Sequence, residues 1–215
     1  MIRWRAAVPR APRRATGRAI PVATLGRVTG PAVPRITWRP LTPDDFALLG
    51  AWLAAPHVRR WWNHESDPQS IDRDFGPTAR GEVLAEDLLV SADGDPVGLV
   101  QRIRWGDWPD YLDEVRPLAE VPAEAISLDY LIGDPGRVGR GLGSAVLRAM
   151  LAATWIDRPS APAVVIPVAA ANSASWRALE KAGMRRVSAG LLPPDNPIDD
   201  GWHYLYRLDR PSPGE

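Results

Sequence analysis

A mixed α+β fold in a single domain is what the sequence predicts, and three observations carry it. Segments of strand and helix character interleave from about Arg35 to Leu208, with no break in composition that would mark a second domain. Two strand-like runs flank Ala92-Asp93-Gly94-Asp95, a hairpin signal. An apolar strand at Ala125–Ile132 leads through Arg137-Val138-Gly139-Arg140-Gly141-Leu142-Gly143 into an amphipathic helix at Ser144–Trp155. A hairpin ahead of that unit is not the order of a doubly wound sheet.

The elements follow in turn. Arg35 to Pro40 alternates like a first strand. Thr42-Pro43-Asp44-Asp45 is a helix start, with Thr as N-cap, Pro at the first helical position and acids in the first turn. Phe46, Leu49, Trp52 and Leu53 share one face of that helix, which is expected to end before Pro56. A short segment at His57–Trp62 and a polar helical stretch around Asp67–Leu84 come next. The hairpin strands are Leu88–Ser91 and Pro96–Trp105, and Gly106–Pro122 reads as a long acidic loop. Ala163–Val168 is a continuous apolar strand, and Asn172–Ala182 is a helix closed by Gly183. Two last strands are predicted near Arg185–Leu192 and Trp202–Leu208.

Composition narrows the function. The 215 residues include no cysteine and three histidines, which excludes disulfides, thiolate metal sites and a Cys nucleophile, and no metal site is expected. No apolar run approaches the ~20 residues a membrane-spanning helix needs. The net charge of zero hides an asymmetry: residues 1–35 carry eight Arg and no acid, leaving 18 basic against 26 acidic residues in the remainder. An acidic body disfavours nucleic acid and attracts cationic small molecules, and no membrane partner is expected. Residues 1–34 read as a disordered basic arm, 35–210 as the folded domain and 211–215 as a tail. A nucleic-acid or membrane role for the arm and a start codon placed too far upstream are the alternatives. Arg13-Arg14 invites a twin-arginine export reading, but Ala19–Gly26 is short, proline-broken and weakly apolar, so a cytoplasmic location is expected.

The glycine-rich stretch at 137–143 has the makings of an anion cradle. Glycines let backbone approach a phosphate, and the free N–H groups of the following helix point at it. A Walker loop would need Gly-Lys followed by Ser or Thr, and a dinucleotide fingerprint would need G-x-G-x-x-G. Gly139-x-Gly141-x-Gly143 fits neither.

The order of elements together with this loop resembles the GCN5-related N-acetyltransferase superfamily, whose Gln/Arg-x-x-Gly-x-Gly/Ala motif falls on Val138–Gly143 with Val138 in the first position. Ile36–Leu41, Ala51-Trp52-Leu53, Pro56-His57-Val58, Trp61-Trp62, Asp129–Gly143, Asn172 and Glu180–Met184 look most like the aminoglycoside 6′-N-acetyltransferases within it. The resemblance implies a mostly antiparallel, centrally splayed sheet flanked by helices. It also implies acetyl-CoA as co-substrate and transfer to a primary amine of a cationic small molecule, with antibiotic resistance as the role. Related siderophore and lysine acyltransferases share much of the pattern, and a catalytically weak CoA-binding protein is a further alternative. A monomer or homodimer is expected.

Acetyl transfer needs a neutral amine, a stabilised oxyanion and a thiolate that can leave. Asp129, a carboxylate among Ile126, Leu128, Tyr130 and Leu131, is costly in an apolar strand unless it has a partner or a function. The resemblance makes it the base or the residue holding the ammonium. The resemblance also implies that backbone N–H groups near Leu131 or Ile132 meet the oxyanion. Arg137, Val138, Gly139, Arg140, Gly141, Leu142, Gly143 and Ser144 would hold the pyrophosphate, and Asn172 would serve the pantetheine arm, the helix N-cap or both. Where the family often has a Tyr as general acid this chain has Leu179, leaving Tyr130, Ser175, water or unassisted departure. Trp61 and Trp62 would wall the acceptor site, with Asp107, Asp110 and Asp195 from the acidic loops binding its cations.

Overall fold

The computed structural model describes residues 34–212, so the basic arm, up to residue 33, and residues 213–215 of the tail lie outside the described residues. Seven strands form one sheet: β1 (Ile36–Pro40), β2 (Glu86–Ala92), β3 (Asp95–Arg104), β4 (Ile126–Ile132), β5 (Ala163–Ala169), β6 (Arg185–Leu191) and β7 (Trp202–Asp209). Their order is β1-β2-β3-β4-β5-β7-β6, antiparallel at every junction except β4–β5. The expected hairpin joins β2 and β3, and Asp93 (φ 55°) with Gly94 (φ 96°) supplies the two left-handed residues of its turn.

β4 and β5 pair at a single position, Ile126↔Val164, and then part. This is the central splay, and a cleft opens in it. Where the strands separate, the Trp105 indole N–H donates to the Val165 carbonyl at 3.2 Å, and its fully buried ring stacks on Tyr111.

Helices α1 (Phe46–Ala54), α2 (Pro56–Trp62) and α3 (Pro68–Ala79) cover one face of β1–β4, packing Leu49, Trp52, Leu53, Trp62, Ile71 and Phe75 on Leu89, Leu99 and Leu131. Thr42 starts this layer as predicted, and the Asp45 carboxylate accepts both its backbone N–H and its hydroxyl. Gly133 follows β4 because a Cβ there would lie 2.2 Å from the Trp52 ring. The other face carries α5 (Leu142–Asp157) and α6 (Ser173–Lys181) over Leu88, Val100, Leu128 and Ile166. Buried Tyr206 of β7 donates its hydroxyl to Glu180 (2.8 Å) and so ties α6 to the sheet.

The expected loop at Gly106–Pro122 is a correction. It contains a 3₁₀ turn at Trp105–Asp107 and a helix, α4 (Pro109–Val115). Pro109 stands in the first turn, and Trp108, Leu112 and Val115 recur at helical spacing and are buried. Acidic composition masked that short period.

A polar row crosses the α1–α3 face, buried at Asp87 and Gln101 and half-buried at Asp129. The pairings Asp87↔Gln101 and Gln101↔Asp129 bring these three side chains side by side. Gln101 Nε2 donates to Asp87 Oδ1 at 2.8 Å, while Asp87 Oδ2 has no hydrogen-bond partner among the described residues. Burial pushes the Asp87 carboxyl up to about 6, outweighing the hydrogen bond from Gln101. The folded protein therefore binds this proton more tightly than the unfolded chain does. Stability is lost as pH rises from about 4 to about 6, by on the order of 2–3 kcal/mol. Asp87→Asn is expected to remove that loss and raise stability at pH 7, read by denaturant unfolding at pH 4, 5, 6 and 7. Equal pH slopes in variant and parent would contradict it.

Candidate active site

The wedge between β4 and β5 opens into a cleft of about 460 Å³. Two halves meet at β4. Asp129 and Leu131 share the α1–α3 face, and Tyr130 points to the α5–α6 face, where an added Gly143 Cβ would lie 3.4 Å from its ring.

The glycine loop forms one end. Gly139 (φ 77°) and Gly141 (φ 82°) are left-handed, and a Cβ on either would meet no protein atom within 4 Å, so it would project into open space. Gly141 is the N-cap of α5, and the Ala145 N–H is the first to close back on it. The N–H groups of Leu142, Gly143 and Ser144 thus have no helical acceptor. Arg137, Val138, Gly139, Gly141, Gly143 and Ser144 line the cleft. Leu142 instead turns into the core at 8% exposure, and exposed Arg140 is not among the lining residues. Arg137 also pairs with Asp95 at 2.9 Å. Arg177 and Lys181, one turn apart on α6, face the same end. The sequence reading missed them, although their i, i+4 spacing on the helix opposite the glycine loop was the available signal.

Asn172 lines the cleft and caps α6, its Oδ1 accepting the Ser175 N–H at 3.2 Å. The Tyr130 hydroxyl receives a hydrogen bond from Ser175 Oγ at 3.3 Å and donates to the Ser175 carbonyl at 3.5 Å. Burial, with the Asp129 charge added and the Ser175 bond opposing, pushes the Tyr130 phenol up to about 12. Leu179 is fully buried in the core.

The β4 backbone divides its polar groups between two sides. Gly133 donates its N–H to Val97 of β3, so alternation turns Leu131 toward β3 and Ile132 toward the wedge. The Ile132 carbonyl hydrogen-bonds His57 Nε2 at 2.9 Å, which docks α2 on the end of β4. Of the two expected oxyanion donors, the N–H that faces the cleft belongs to Ile132. The Asp129 carboxylate accepts the Tyr130 N–H at 3.0 Å, also on the wedge side.

The other half is walled by α2 and the β6–β7 loop. Trp62 is buried at 3%, while Trp61 is partly exposed and carries the Arg60 guanidinium 4.1 Å over its ring. Arg60 forks onto Asp199 at 2.9 and 2.5 Å. Asn63 Nδ2 donates to the Asp195 carbonyl and Asn196 Nδ2 to the Arg60 carbonyl, fastening the loop to α2. Asp195, Asp199 and His203 line this half. His203 hydrogen-bonds the Gly201 carbonyl, and burial lowers its pKa. Asp107 and Asp110, expected here, do not line the cleft. Arg104 forks onto Asp107, and Asp110 is exposed in the first turn of α4, where the helix dipole favours it. No group of three or more His, Asp or Glu that could hold a metal occurs among the described residues.

Residues 42–190 match the family model described as Acetyltransferase (GNAT) domain. Two curated proteins named Aminoglycoside N(6′)-acetyltransferase type 1, from Klebsiella pneumoniae and Serratia marcescens, are each 25% identical over 166 residues, covering 75% of this chain and 79% of theirs. The crystal structure of aminoglycoside acetyltransferase AAC(6′)-Ib in complex with coenzyme A superposes with a TM-score of 0.69 at 22% identity, over 82% of this chain and 95% of that one. An uncharacterized protein from Bacillus halodurans gives 0.67 at 18% identity, over 82% and 84%.

Proposed function

The chain belongs to the GNAT acetyltransferase family, and on that premise we propose that it transfers acetyl from acetyl-CoA to a primary amine of a cationic small molecule, the 6′-amine of an aminoglycoside. The observation that carries the reading is one continuous cleft with an anion cradle at one end, carboxylates at the other and Asp129 between them. The two relatives named for aminoglycoside 6′-acetylation support the acceptor class.

The donor end fits a pyrophosphate. Its first-turn α5 amides, the open space over Gly139 and Gly141, and the cations Arg137, Arg177 and Lys181 suit a polyanion. Asn172 keeps its Nδ2 hydrogens for an amide carbonyl of the pantetheine arm. Bound acetyl-CoA supplies an activated acyl group as a thioester.

The protein's own groups do the rest. Asp129 holds the acceptor's ammonium by charge and takes its proton, directly or through water, so that the nitrogen lone pair is available. Ile132 presents an N–H where negative charge develops on the acyl oxygen. Tyr130 exchanges its long hydrogen bond to the Ser175 carbonyl (3.5 Å) for one to the departing sulfur. A phenol pushed up to about 12 is a poor acid toward a thiolate, whose own thiol is the stronger acid, so full transfer is uphill. Tyr130 thus stabilises the thiolate rather than protonating it, and the proton arrives from solvent or the spent ammonium.

Tyr130→Phe is expected to lower kcat about tenfold to a hundredfold, the worth of one hydrogen bond to a charged group, with KM for acetyl-CoA nearly unchanged. An unaltered kcat would hand that role to water. The test of the function itself is a thiol-release screen with acetyl-CoA across aminoglycosides, polyamines, lysine and hydroxylamines. Turnover confined to hydroxylamines or lysine would favour siderophore-type acylation, and tight acetyl-CoA binding with no turnover would favour a binding protein.

A further inference from the structure

A cation is already seated in the acceptor half. Arg60 lies over the face of Trp61 and forks onto Asp199, so an aromatic wall and a carboxylate suited to an incoming ammonium are both engaged by the protein's own guanidinium. The pair joins positions 139 residues apart and faces the cleft that Asp129 and Asp195 also line. The Arg60 side chain is 34% exposed and that of Asp199 11%, so the pair is solvated enough to break and sheltered enough to matter.

We propose that Arg60 is a specificity-determining residue, a built-in competitor for the second cation of the acceptor, which holds the affinity for polyamine acceptors below what the carboxylates alone would give. The proposal rests on the amine-acetyltransferase reading. An acceptor ammonium that would sit on Trp61 and Asp199 must first displace Arg60, and a guanidinium held by two parallel hydrogen bonds yields with difficulty. An acceptor with one ammonium at Asp129 meets no such competition. Removing the guanidinium while keeping the loop tethers, which run through the Arg60 and Asp195 carbonyls, frees that subsite.

The alternative role for the pair is a latch that merely holds the β6–β7 loop on α2, and it predicts the opposite sign. Dissociation constants are measured by calorimetry with CoA present, so no turnover is needed, for 6-amino-6-deoxyglucose, kanamycin and tobramycin, in order of rising amine number. In Arg60→Gln the two antibiotics are expected to bind about tenfold tighter, equivalent to about 1.4 kcal/mol, and the single-amine sugar within twofold of the parent. Asp199→Asn leaves Arg60 uncompensated and should weaken the antibiotics about tenfold while sparing the sugar. Uniform weakening of every acceptor by Arg60→Gln would establish the latch and overturn the proposal. Unchanged affinities, or no binding by either protein, would overturn it as well. Failure of the function reading shows separately, as parent protein that acetylates no amine in the thiol-release screen.

Discussion

Asp129→Asn is expected to lower kcat/KM for the amine by about a hundredfold to ten-thousandfold, the usual worth of a positioned general base. The substitution keeps the shape of the side chain and removes its charge. An aliphatic ammonium with a pKa of about 10.4 is overwhelmingly protonated at pH 7, so the enzyme must both attract the cation and strip its proton. The deficit should therefore shrink as pH rises toward the amine's own pKa, because the acceptor then arrives neutral. Thermal unfolding of the variant should match the parent. Parent-like kinetics at pH 7, or a deficit that is constant with pH, would remove Asp129 from the chemistry.

Arg102→Ala carries the largest expected effect on stability. Arg102 lies on β3 at 4% exposure and reaches Glu86 of β2 at 2.6 Å and Asp157 at the end of α5 at 3.0 Å. It thereby clamps the sheet to the helix whose other end forms the glycine cradle. Breaking a buried ion pair by removing one partner costs about 3–5 kcal/mol. Both carboxylates here are about a third exposed, and Glu86 keeps Arg158 at 2.8 Å, so the lower end applies. A loss of about 3 kcal/mol corresponds to a fall in Tm of roughly 6–12 °C for a domain of this size. Calorimetry reads it directly, and a shift of under a degree would show that water replaces the clamp at no cost.

Local signals in the chain were legible, and long-range ones were not. The hairpin turn needs two adjacent left-handed residues, and Asp93-Gly94 announces them. Asn172 as a cap, Gly183 as a stop and the glycine loop are likewise nearest-neighbour chemistry. Helix α4 was obscured because two turns of helix give one short apolar period, submerged among Asp110, Asp113 and Glu114. That error carried Asp107 and Asp110 into the expected acceptor site, although Arg104, three residues from Asp107, offered a local partner. The splay rests on a single β4–β5 pair, a property of how two strands far apart in sequence diverge, and no periodicity encodes it. Arg60 and Asp199 are similarly silent until the fold brings them together.

The glycine loop also changes meaning in its surroundings. By itself it offers only amides and open space. With Arg177 and Lys181 across the cleft and Tyr130 packed beneath Gly143, it becomes one wall of a site whose other wall is carboxylate. A polyanion and a cation can then meet at β4 from opposite sides, with Asp129 on one face of the strand and Tyr130 on the other.

The measurement that bears most directly on this account is the product formed from acetyl-CoA and kanamycin. The expected result is one acetyl group gained per thiol released, located by mass spectrometry and NMR on the 6′-nitrogen, and slowed by about a hundredfold or more in Asp129→Asn at neutral pH. Thiol release without an acetylated amine, or an acetyl group on an oxygen, would contradict it.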